Sequence, residues 1–245
     1  MNELGLTMAQ EAYAHALASN DAQEFTLLDK KWIQSSGVLG GDYNYATGLF
    51  ASSLPYQGVT SMLEMGCGCG VASVLGALAG VPKVTALDIN PAAVHSTQLN
   101  AQRHGVADRV TALVSDLYAA VDEDETYDLI FWNSPFIQTG SEQPLESPLA
   151  YHFFDPGYAM HERFLRESTR RLAPDGRLFL GYSFAMGSSD RLREVVGVAG
   201  FRVEVFVQET FSVPPQELGT SPVYAACADD DGKVHIDFTL LELIR

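Results

Sequence analysis

The chain contains the stretch Met62-Leu63-Glu64-Met65-Gly66-Cys67-Gly68-Cys69-Gly70-Val71-Ala72, and its order of residue types decides the fold. The apolar run that ends at Met65 predicts a buried strand. Three glycines at alternate positions then predict a tight turn, and the Ala/Val/Leu-rich residues after Gly70 predict a helix. A strand, a glycine turn and a helix in this order are typical of a backbone that cradles a nucleotide.

The spacing of the glycines distinguishes a dinucleotide-binding turn from other nucleotide-binding turns. A dinucleotide-binding turn requires Gly-x-Gly-x-x-Gly, with a pyrophosphate at the helix N-terminus. Here position 71 is Val, and the third glycine comes one residue early, at Gly70. Glu64, two places before the first glycine, suits a ligand with a cationic group. A nicotinamide-dependent oxidoreductase therefore remains only as an alternative.

The pattern Glu-x-Gly-x-Gly-x-Gly resembles the first motif of the class I S-adenosylmethionine (SAM) dependent methyltransferases. The resemblance implies that the acidic residue and the loop hold the methionine end of SAM, and that the glycines admit the nucleoside. The implied cofactor contacts in this loop are Glu64, Gly66, Cys67, Gly68 and Gly70.

Two further strand ends supply polar groups. The alternating residues 83–89 predict a strand that ends near Asp88, about twenty residues past the glycine turn, where a carboxylate can accept both ribose hydroxyls of an adenosine cofactor. Residues 110–114 predict a third strand, and Asp116 after it can accept a hydrogen bond from an adenine amino group or serve as an ordinary turn residue. The cofactor contacts predicted at these strand ends are Asp88, Ile89, Asn90, Ser115, Asp116 and Leu117.

Residues 127–132 predict an apolar strand in the middle of a parallel sheet, and Asn133-Ser134-Pro135-Phe136 follows directly. Polar groups buried at that edge require a hydrogen-bond partner, and open α/β sheets bind ligands there. The four residues resemble the Asn/Asp-Pro-Pro-Tyr/Phe motif of methyltransferases that modify nitrogen in planar groups, such as base amines and glutamine amides. The resemblance implies that all four are catalytic and that Asn133 also contacts the cofactor.

The order of motifs over residues 38–205 is similar to the release-factor glutamine methyltransferases and their relatives. The chain departs from them by Ser134 in place of the first proline, by Phe136 in place of the usual tyrosine, and by a much shorter N-terminal part. The resemblance implies a doubly wound, Rossmann-like α/β fold with a mostly parallel sheet of seven strands, of which the last is antiparallel. We expect residues 1–53 to form an N-terminal helical extension or cap, and residues 54–245 to form the methyltransferase domain.

Candidate contacts with the methyl acceptor lie outside the cofactor motifs. Tyr43 and Tyr45 belong to a loop rich in glycine and aromatic residues, and loops of this kind often carry binding residues. His152 and His161 lie in or near residues 138–156, a polar segment that we expect to form a loop over the acceptor. Phe136 can stack on a planar acceptor group. Turn packing and ordinary structural roles remain the alternatives for the tyrosines and histidines.

Composition limits the partners. The 245 residues carry 15 Lys and Arg against 31 Asp and Glu, a net charge of −16 without a basic run, which disfavours nucleic acid. No apolar run long enough for a membrane span and no signal peptide is present, so we expect a cytoplasmic protein. The three cysteines predict neither a disulfide nor a metal site. We therefore favour SAM as cofactor and a planar, nitrogen-bearing small molecule as substrate, with a homodimer as one possible assembly.

Alternatives stay open at this stage. The acceptor can be a protein glutamine or a nucleic acid, or an oxygen that needs His152 or His161 as a base. A non-catalytic SAM-binding protein is a further alternative. Periodicity predicts a first helix over residues 7–17, a short helix after Asp21, and a hairpin formed by residues 223–228 and 233–244.

Overall fold

The computed structural model describes residues 2–19, 21–40 and 44–245. Its N-terminal part contains two helices with a small antiparallel hairpin between them. These elements are α1 (Glu3–Ser19), β1 (Gln23–Leu27), β2 (Lys30–Gln34) and α2 (Asn44–Ser53).

The rest of the described chain alternates strands and helices. The first group is β3 (Ser61–Met65), α3 (Val71–Leu78), β4 (Lys83–Asp88), α4 (Pro91–Arg103), β5 (Val110–Val114) and β6 (Tyr127–Asn133). Three short elements come next, namely β7 (Ile137–Thr139), α5 (Ala150–Phe153) and β8 (Phe154–Pro156). The last group is α6 (Ala159–Arg171), β9 (Leu172–Tyr182), α7 (Ser189–Val198), β10 (Arg202–Val213), α8 (Pro215–Leu218), α9 (Pro222–Ala226) and β11 (Val234–Ile244).

Seven strands form one sheet in the order β10-β11-β9-β6-β3-β4-β5. The five strands from β9 to β5 are paired in parallel. The last strand, β11, is antiparallel to both β9 and β10. The predicted α/β fold, with a seven-stranded, mostly parallel sheet and an antiparallel last strand, is confirmed.

Both faces of the sheet are covered, which explains why its central strands are almost continuously apolar. Successive residues of β3 point to opposite faces, so Met62 packs in the hydrophobic cluster that contains Val74 of α3, whereas Leu63 packs in the cluster that contains Phe164 of α6. Because the parallel strands all end at one edge, the polar residues that follow β3, β4, β5 and β6 are brought together there.

The helix predicted after Asp21 is wrong, because residues 23–27 pair as β1 with β2. Leu28 and Asp29 at the tip have positive φ angles of 52° and 57°. Two consecutive left-handed residues give a turn whose twist matches that of a two-stranded hairpin. Neither residue is the glycine or asparagine that normally signals such a turn, so the sequence concealed it. The first helix is also longer than residues 7–17.

The predicted C-terminal hairpin is wrong as well. Residues 222–226 form α9, whose start is capped by the Ser221 hydroxyl accepting from the Val223 N–H, with Pro222 in the first turn. The strand β11 instead pairs with β10 and β9. The expected loop over residues 138–156 also contains regular structure, namely α5 and the parallel pair β7 and β8. Within the described ranges, no helix is both long and apolar enough to cross a bilayer.

Candidate functional site

Three neighbouring cavities lie where the parallel strands end. The edge cavity, of about 80 Å³, follows the ends of β4 and β5, and the glycine-loop cavity, of about 40 Å³, lies under the turn between β3 and α3. The α1 cavity, of about 270 Å³, is bounded on one side by helix α1. Leu39, Asn133 and His152 line all three, so the cavities meet at these residues.

Most of the predicted cofactor contacts line the first two cavities. Glu64, Gly66, Cys67, Gly68 and Asn133 line the glycine-loop cavity. The predicted contacts that line the edge cavity are Gly66, Gly68, Asp88, Ile89, Asn90, Ser115, Asp116, Leu117 and Asn133.

Asp88 ends β4 with its carboxylate oriented by backbone groups. Oδ2 accepts from the Gly68 N–H at 3.0 Å, and Oδ1 accepts from the Asn90 N–H at 2.9 Å. Burial raises the pKa of the Asp88 carboxyl, and the hydrogen bonds from the Gly68, Asn90 and Ile89 N–H groups offset part of that rise. Each carboxylate oxygen can accept more than one hydrogen bond, so both retain capacity for a pair of hydroxyls.

The glycine turn leaves room beside Asp88. Gly68 has φ +53°, and a Cβ built on it would meet no protein atom within 4 Å, because it would project into open space. Gly70 lines neither cavity; with φ +77°, its Cβ would stand 2.7 Å from Thr97 Cγ2. Gly68 thus leaves space for a nucleoside, as the SAM motif requires, whereas Gly70 permits close packing on α4.

Glu64 is buried, with 5% of its surface exposed, and lines the glycine-loop cavity. Its Oε2 accepts from the backbone N–H of Ser73 at 2.8 Å and from the Ser73 hydroxyl at 2.5 Å. Burial raises the pKa of Glu64 to about 7, although both bonds from Ser73 oppose the rise. A cationic group in this cavity stabilises the ionised carboxylate.

Three other predicted cofactor residues already have partners. Asn90 caps α4 by accepting from the Ala92 N–H, and its Nδ2 donates to the Gly37 carbonyl. The Ser115 hydroxyl donates to the Leu117 carbonyl at 2.5 Å. Asp116 forms a two-pronged pair with Arg163 of α6, in which both N···O distances are 3.1 Å. These contacts shape the edge cavity.

Cys67 and Cys69 are buried and all three cysteines are free thiols. The Thr97 hydroxyl lies 3.2 Å from Cys67 Sγ, and burial raises the pKa of the Cys67 thiol well above its usual value. Burial also raises the pKa of Cys69 to about 12. Both side chains are therefore neutral thiols at physiological pH.

The four motif residues Asn133, Ser134, Pro135 and Phe136 all line the α1 cavity. The hydrogen bonds of the described residues include none to the Asn133 side-chain amide, although this amide borders three cavities. Such an amide can accept with its oxygen and donate with its nitrogen. It is therefore available to a ligand.

The α1 cavity has mainly apolar walls. Among the described residues that line it, none is Asp, Glu, Lys or Arg, and the polar members are Thr47, Asn133, Ser134 and His152. The His152 side chain lines the cavity but is exposed, and partial desolvation there lowers its pKa below the usual value. His152 is thus neutral at pH 7, and the cavity suits an uncharged molecule.

Two other predicted acceptor contacts, Tyr45 and His161, do not line this cavity. Tyr45 is 48% exposed, and its hydroxyl donates to Glu209 while its ring packs on Phe211. His161 is fully buried, so it has no surface for a substrate to touch. Tyr43 lies outside the described residues.

Sequence reasoning named the glycine-rich loop as a binding segment but did not predict that its first residues form a wall of the edge cavity. Gly37, Val38 and Leu39 line this cavity. Polar side chains of α4 form hydrogen bonds with the backbone of the segment that precedes them. Asn100 bonds both the N–H and the carbonyl of Ile33 at 2.8 Å. A polar Asn100 inside a helix was a sign of a tertiary contact, but the sequence does not identify its partner Ile33, which lies 67 residues earlier.

A glycine turn between β3 and α3, a carboxylate at the end of β4 and a polar motif after β6 define a class I SAM-dependent methyltransferase. The chain belongs to the methyltransferase small domain family, whose family model matches residues 31–205. The predicted enzyme class and cofactor are confirmed. The boundary at residues 53/54 and the individual site roles remain predictions.

Among curated proteins, the chain is similar to two release factor glutamine methyltransferases. That of Rhodopirellula baltica is 32% identical over 149 residues, which cover 56% of this chain and 49% of the relative. That of Bordetella pertussis is 31% identical over 152 residues, which cover 58% and 53%. The chain thus spans about half the length of these two relatives.

Among solved structures, the chain resembles a T. thermophilus 16S rRNA N2 methyltransferase in complex with AdoMet and guanosine. The TM-score is 0.57 at 20% identity, and the match covers 92% of this chain and 50% of that one. At this identity the likeness supports the fold alone.

Proposed function

We propose that this chain transfers a methyl group from SAM to nitrogen in an uncharged planar group of a small, mainly apolar molecule. The observation that carries the proposal is the Asn133 amide, which has no hydrogen-bond partner among the described residues and borders all three cavities. It can therefore contact the methyl donor and the methyl acceptor at once.

The edge and glycine-loop cavities are the proposed SAM site. Asp88 accepts the ribose hydroxyls, the open space at Gly68 admits the nucleoside, and the Glu64 carboxylate faces the cationic methionine end. SAM supplies an electrophilic methyl group on a sulfonium. The Gly37–Leu39 segment forms one wall of the edge cavity.

The α1 cavity is the proposed acceptor site. The Asn133 amide oxygen and the Ser134 carbonyl accept the N–H hydrogens of the acceptor, which directs its nitrogen lone pair toward the methyl group. Phe136 packs on the planar group. Methyl transfer is an in-line displacement, so holding the two reacting atoms close and aligned is the main contribution of these residues.

A protein glutamine is the second candidate acceptor, because the curated relatives named above are glutamine methyltransferases. A glutamine amide is also planar and uncharged. The charge-free lining of the α1 cavity is compatible with both acceptors, and its volume of about 270 Å³ exceeds what one amide group needs. RNA is disfavoured, because neutralising phosphates requires Lys or Arg and the described lining has none.

Tritiated SAM incubated with the protein and a cell extract tests the proposal. We expect label in the small-molecule fraction that organic solvent extracts, with the protein and RNA fractions at background. Label in a protein fraction that acid hydrolysis releases as methylamine indicates glutamine instead. Label in no fraction, despite binding of SAM, contradicts catalysis.

The matched variant is Asn133→Ala. We expect the affinity for S-adenosylhomocysteine (SAH) to stay within about threefold, while turnover falls about a hundredfold or more because the acceptor loses its alignment. Equal losses in SAH affinity and turnover would mean that Asn133 has a structural role.

A further inference from the structure

Three polar side chains form a buried hydrogen-bond network behind the Asn133–Phe136 turn. His161 Nδ1 lies 2.6 Å from Asp155 Oδ2, and His161 Nε2 lies 3.0 Å from the Ser134 hydroxyl. The Ser134 hydroxyl also lies 2.8 Å from the Gly181 carbonyl of β9. Asp155 and His161 are fully buried, and Ser134 is 4% exposed.

The start of α6 fixes Asp155, which lies at the end of this network farthest from Ser134. The backbone N–H groups of Met160 and His161 donate to the two oxygens of Asp155, at 3.0 and 2.9 Å. The His161 ring packs against Trp132 and Tyr158, with centroid distances of 4.9 and 4.6 Å. Because a carboxylate accepts hydrogen bonds, His161 Nδ1 carries a proton, and Nε2 is directed at Ser134.

The same helix start also holds the other end of the turn. The Tyr158 hydroxyl donates to the Phe136 carbonyl and lies 2.9 Å from the Tyr182 hydroxyl. Residues 134 and 136 are therefore tied to neighbouring positions of one helix, although 22 to 27 residues separate the partners along the chain.

Burying Asp155, His161 and Ser134 costs free energy, and packing of the core does not require these polar side chains. Polar groups lose hydration on burial, and replacing a buried pair by apolar residues is often neutral or stabilising. The related motif has proline at position 134, where the ring fixes φ without any side-chain bond. Serine lacks that restraint, and its hydroxyl is the atom that Gly181 and His161 hold.

We infer that His161 is a positioning residue for the methyl acceptor. Through Ser134 it fixes the backbone that presents the Ser134 carbonyl and the Asn133 amide to the α1 cavity, and Asp155 fixes His161. The inference rests on the proposed function for what is positioned, whereas the restraint on the turn is measurable without any acceptor.

Two variants separate the two hydrogen bonds of the ring. His161→Gln places an amide near the position of Nε2 and keeps a partner for Ser134. His161→Asn places its amide near the position of Nδ1 and keeps a partner for Asp155. NMR measures the rate of amide hydrogen exchange at the Ser134 and Ile137 N–H groups, and Leu63 and Met65 of β3 are the internal controls. Calorimetry measures the affinity for SAH.

We expect exchange at Ser134 and Ile137 about tenfold faster in His161→Asn and within about threefold of wild type in His161→Gln. Exchange in β3 and SAH affinity should change little in either variant. Unchanged exchange in His161→Asn, equal acceleration in both variants, or acceleration that extends equally to β3 would each overturn the inference. Failure of SAH to bind would count against the proposed function and leave the exchange result standing.

Discussion

Glu64 shows how burial of one carboxyl group couples protonation to ligand binding. Burial disfavours the charge of Glu64 and raises its pKa to about 7, compared with 4.5 for a solvated glutamate side chain. Between these two values the folded protein holds a proton that the unfolded chain has released. Stability attributable to Glu64 is therefore complete below pH 4.5 and is lost as the pH rises through about 7.

Glu64→Gln should accordingly stabilise the ligand-free protein at pH 8. The pKa difference corresponds to at most about 3 kcal/mol in the free energy of unfolding, and the gain should vanish near pH 4. The glutamine oxygen still accepts both hydrogen bonds from Ser73, so the Ser73 N–H and hydroxyl near the start of α3 keep their partner. Urea unfolding at the two pH values measures the change.

The same substitution should weaken SAM binding at pH 8 by about tenfold or more, because the cationic methionine end loses its carboxylate. For wild type, SAM affinity should decline as the pH falls below about 7, where Glu64 becomes protonated. Ser73→Ala is the control, since it keeps the carboxylate and removes one hydroxyl. If Glu64→Gln left the SAM affinity unchanged, Glu64 would not contact the cationic end of SAM.

Helix α1 is a wall of the acceptor cavity that neighbouring segments hold in place. The Asn2 side chain donates to the Ala185 carbonyl at 2.8 Å, and Tyr13 shares a hydrogen bond of 3.0 Å with Ser147. The Tyr224 hydroxyl donates to Glu11 at 2.6 Å. Gly5, Met8, Ala9 and Ala12 of this helix line the α1 cavity.

Ala9→Leu should therefore reduce methyl transfer while SAM binding stays intact. Ala9 is 7% exposed and faces the α1 cavity, so three added carbons take space from the acceptor. Crowding of this kind costs about 1–3 kcal/mol, which corresponds to a loss of roughly fivefold to 150-fold in turnover. Turnover of the labelled acceptor and SAH affinity are the two measurements.

Ala14→Leu is the matched control, because Ala14 lies on the exposed side of the same helix. Its turnover should equal that of wild type. If Ala9→Leu were equally active, the acceptor would have to bind elsewhere.

The elements that sequence predicts well are those with strong local patterns. The apolar strands β3, β4, β5 and β6 are predicted within about two residues, because burial on both faces leaves them few polar positions. Residues 23–27 and 222–226 were assigned wrongly, since a left-handed turn without glycine and a short capped helix give little local signal.

The same division holds for the site. Asp88 and Asn133 were predictable because each ends a recognisable strand, and strand ends meet at one edge. His161 and the residues of α1 gain their places through contacts between distant parts of the chain, which no spacing rule encodes. His161 in particular was predicted to touch substrate, whereas the structure buries it behind the motif.

At the scale of the whole molecule, the net charge of −16 disfavours polyanionic partners but places no restriction on a zwitterionic nucleoside. Ligand selectivity then depends on the local site, where Glu64 and Asp88 combine two acidic groups with one glycine turn. A pyrophosphate would meet these carboxylates unfavourably, whereas a cationic donor benefits from them.

Thermal unfolding with three ligands tests this selectivity for the entire fold. SAH at a hundred times its dissociation constant should add about 2.7 kcal/mol to the free energy of unfolding, which raises the Tm of a chain of this size by about 5–10 °C. SAM should behave alike, and NADH should produce no shift, because the described residues that line the edge cavity include no Lys or Arg to pair with its pyrophosphate, whereas Asp88 there is acidic. Asp88→Ala should lose the SAH shift at the same concentration, since both ribose hydroxyls lose their acceptor. A shift with NADH that equals that of SAH would instead favour a dinucleotide site, and the early position of Gly70 would then need another explanation.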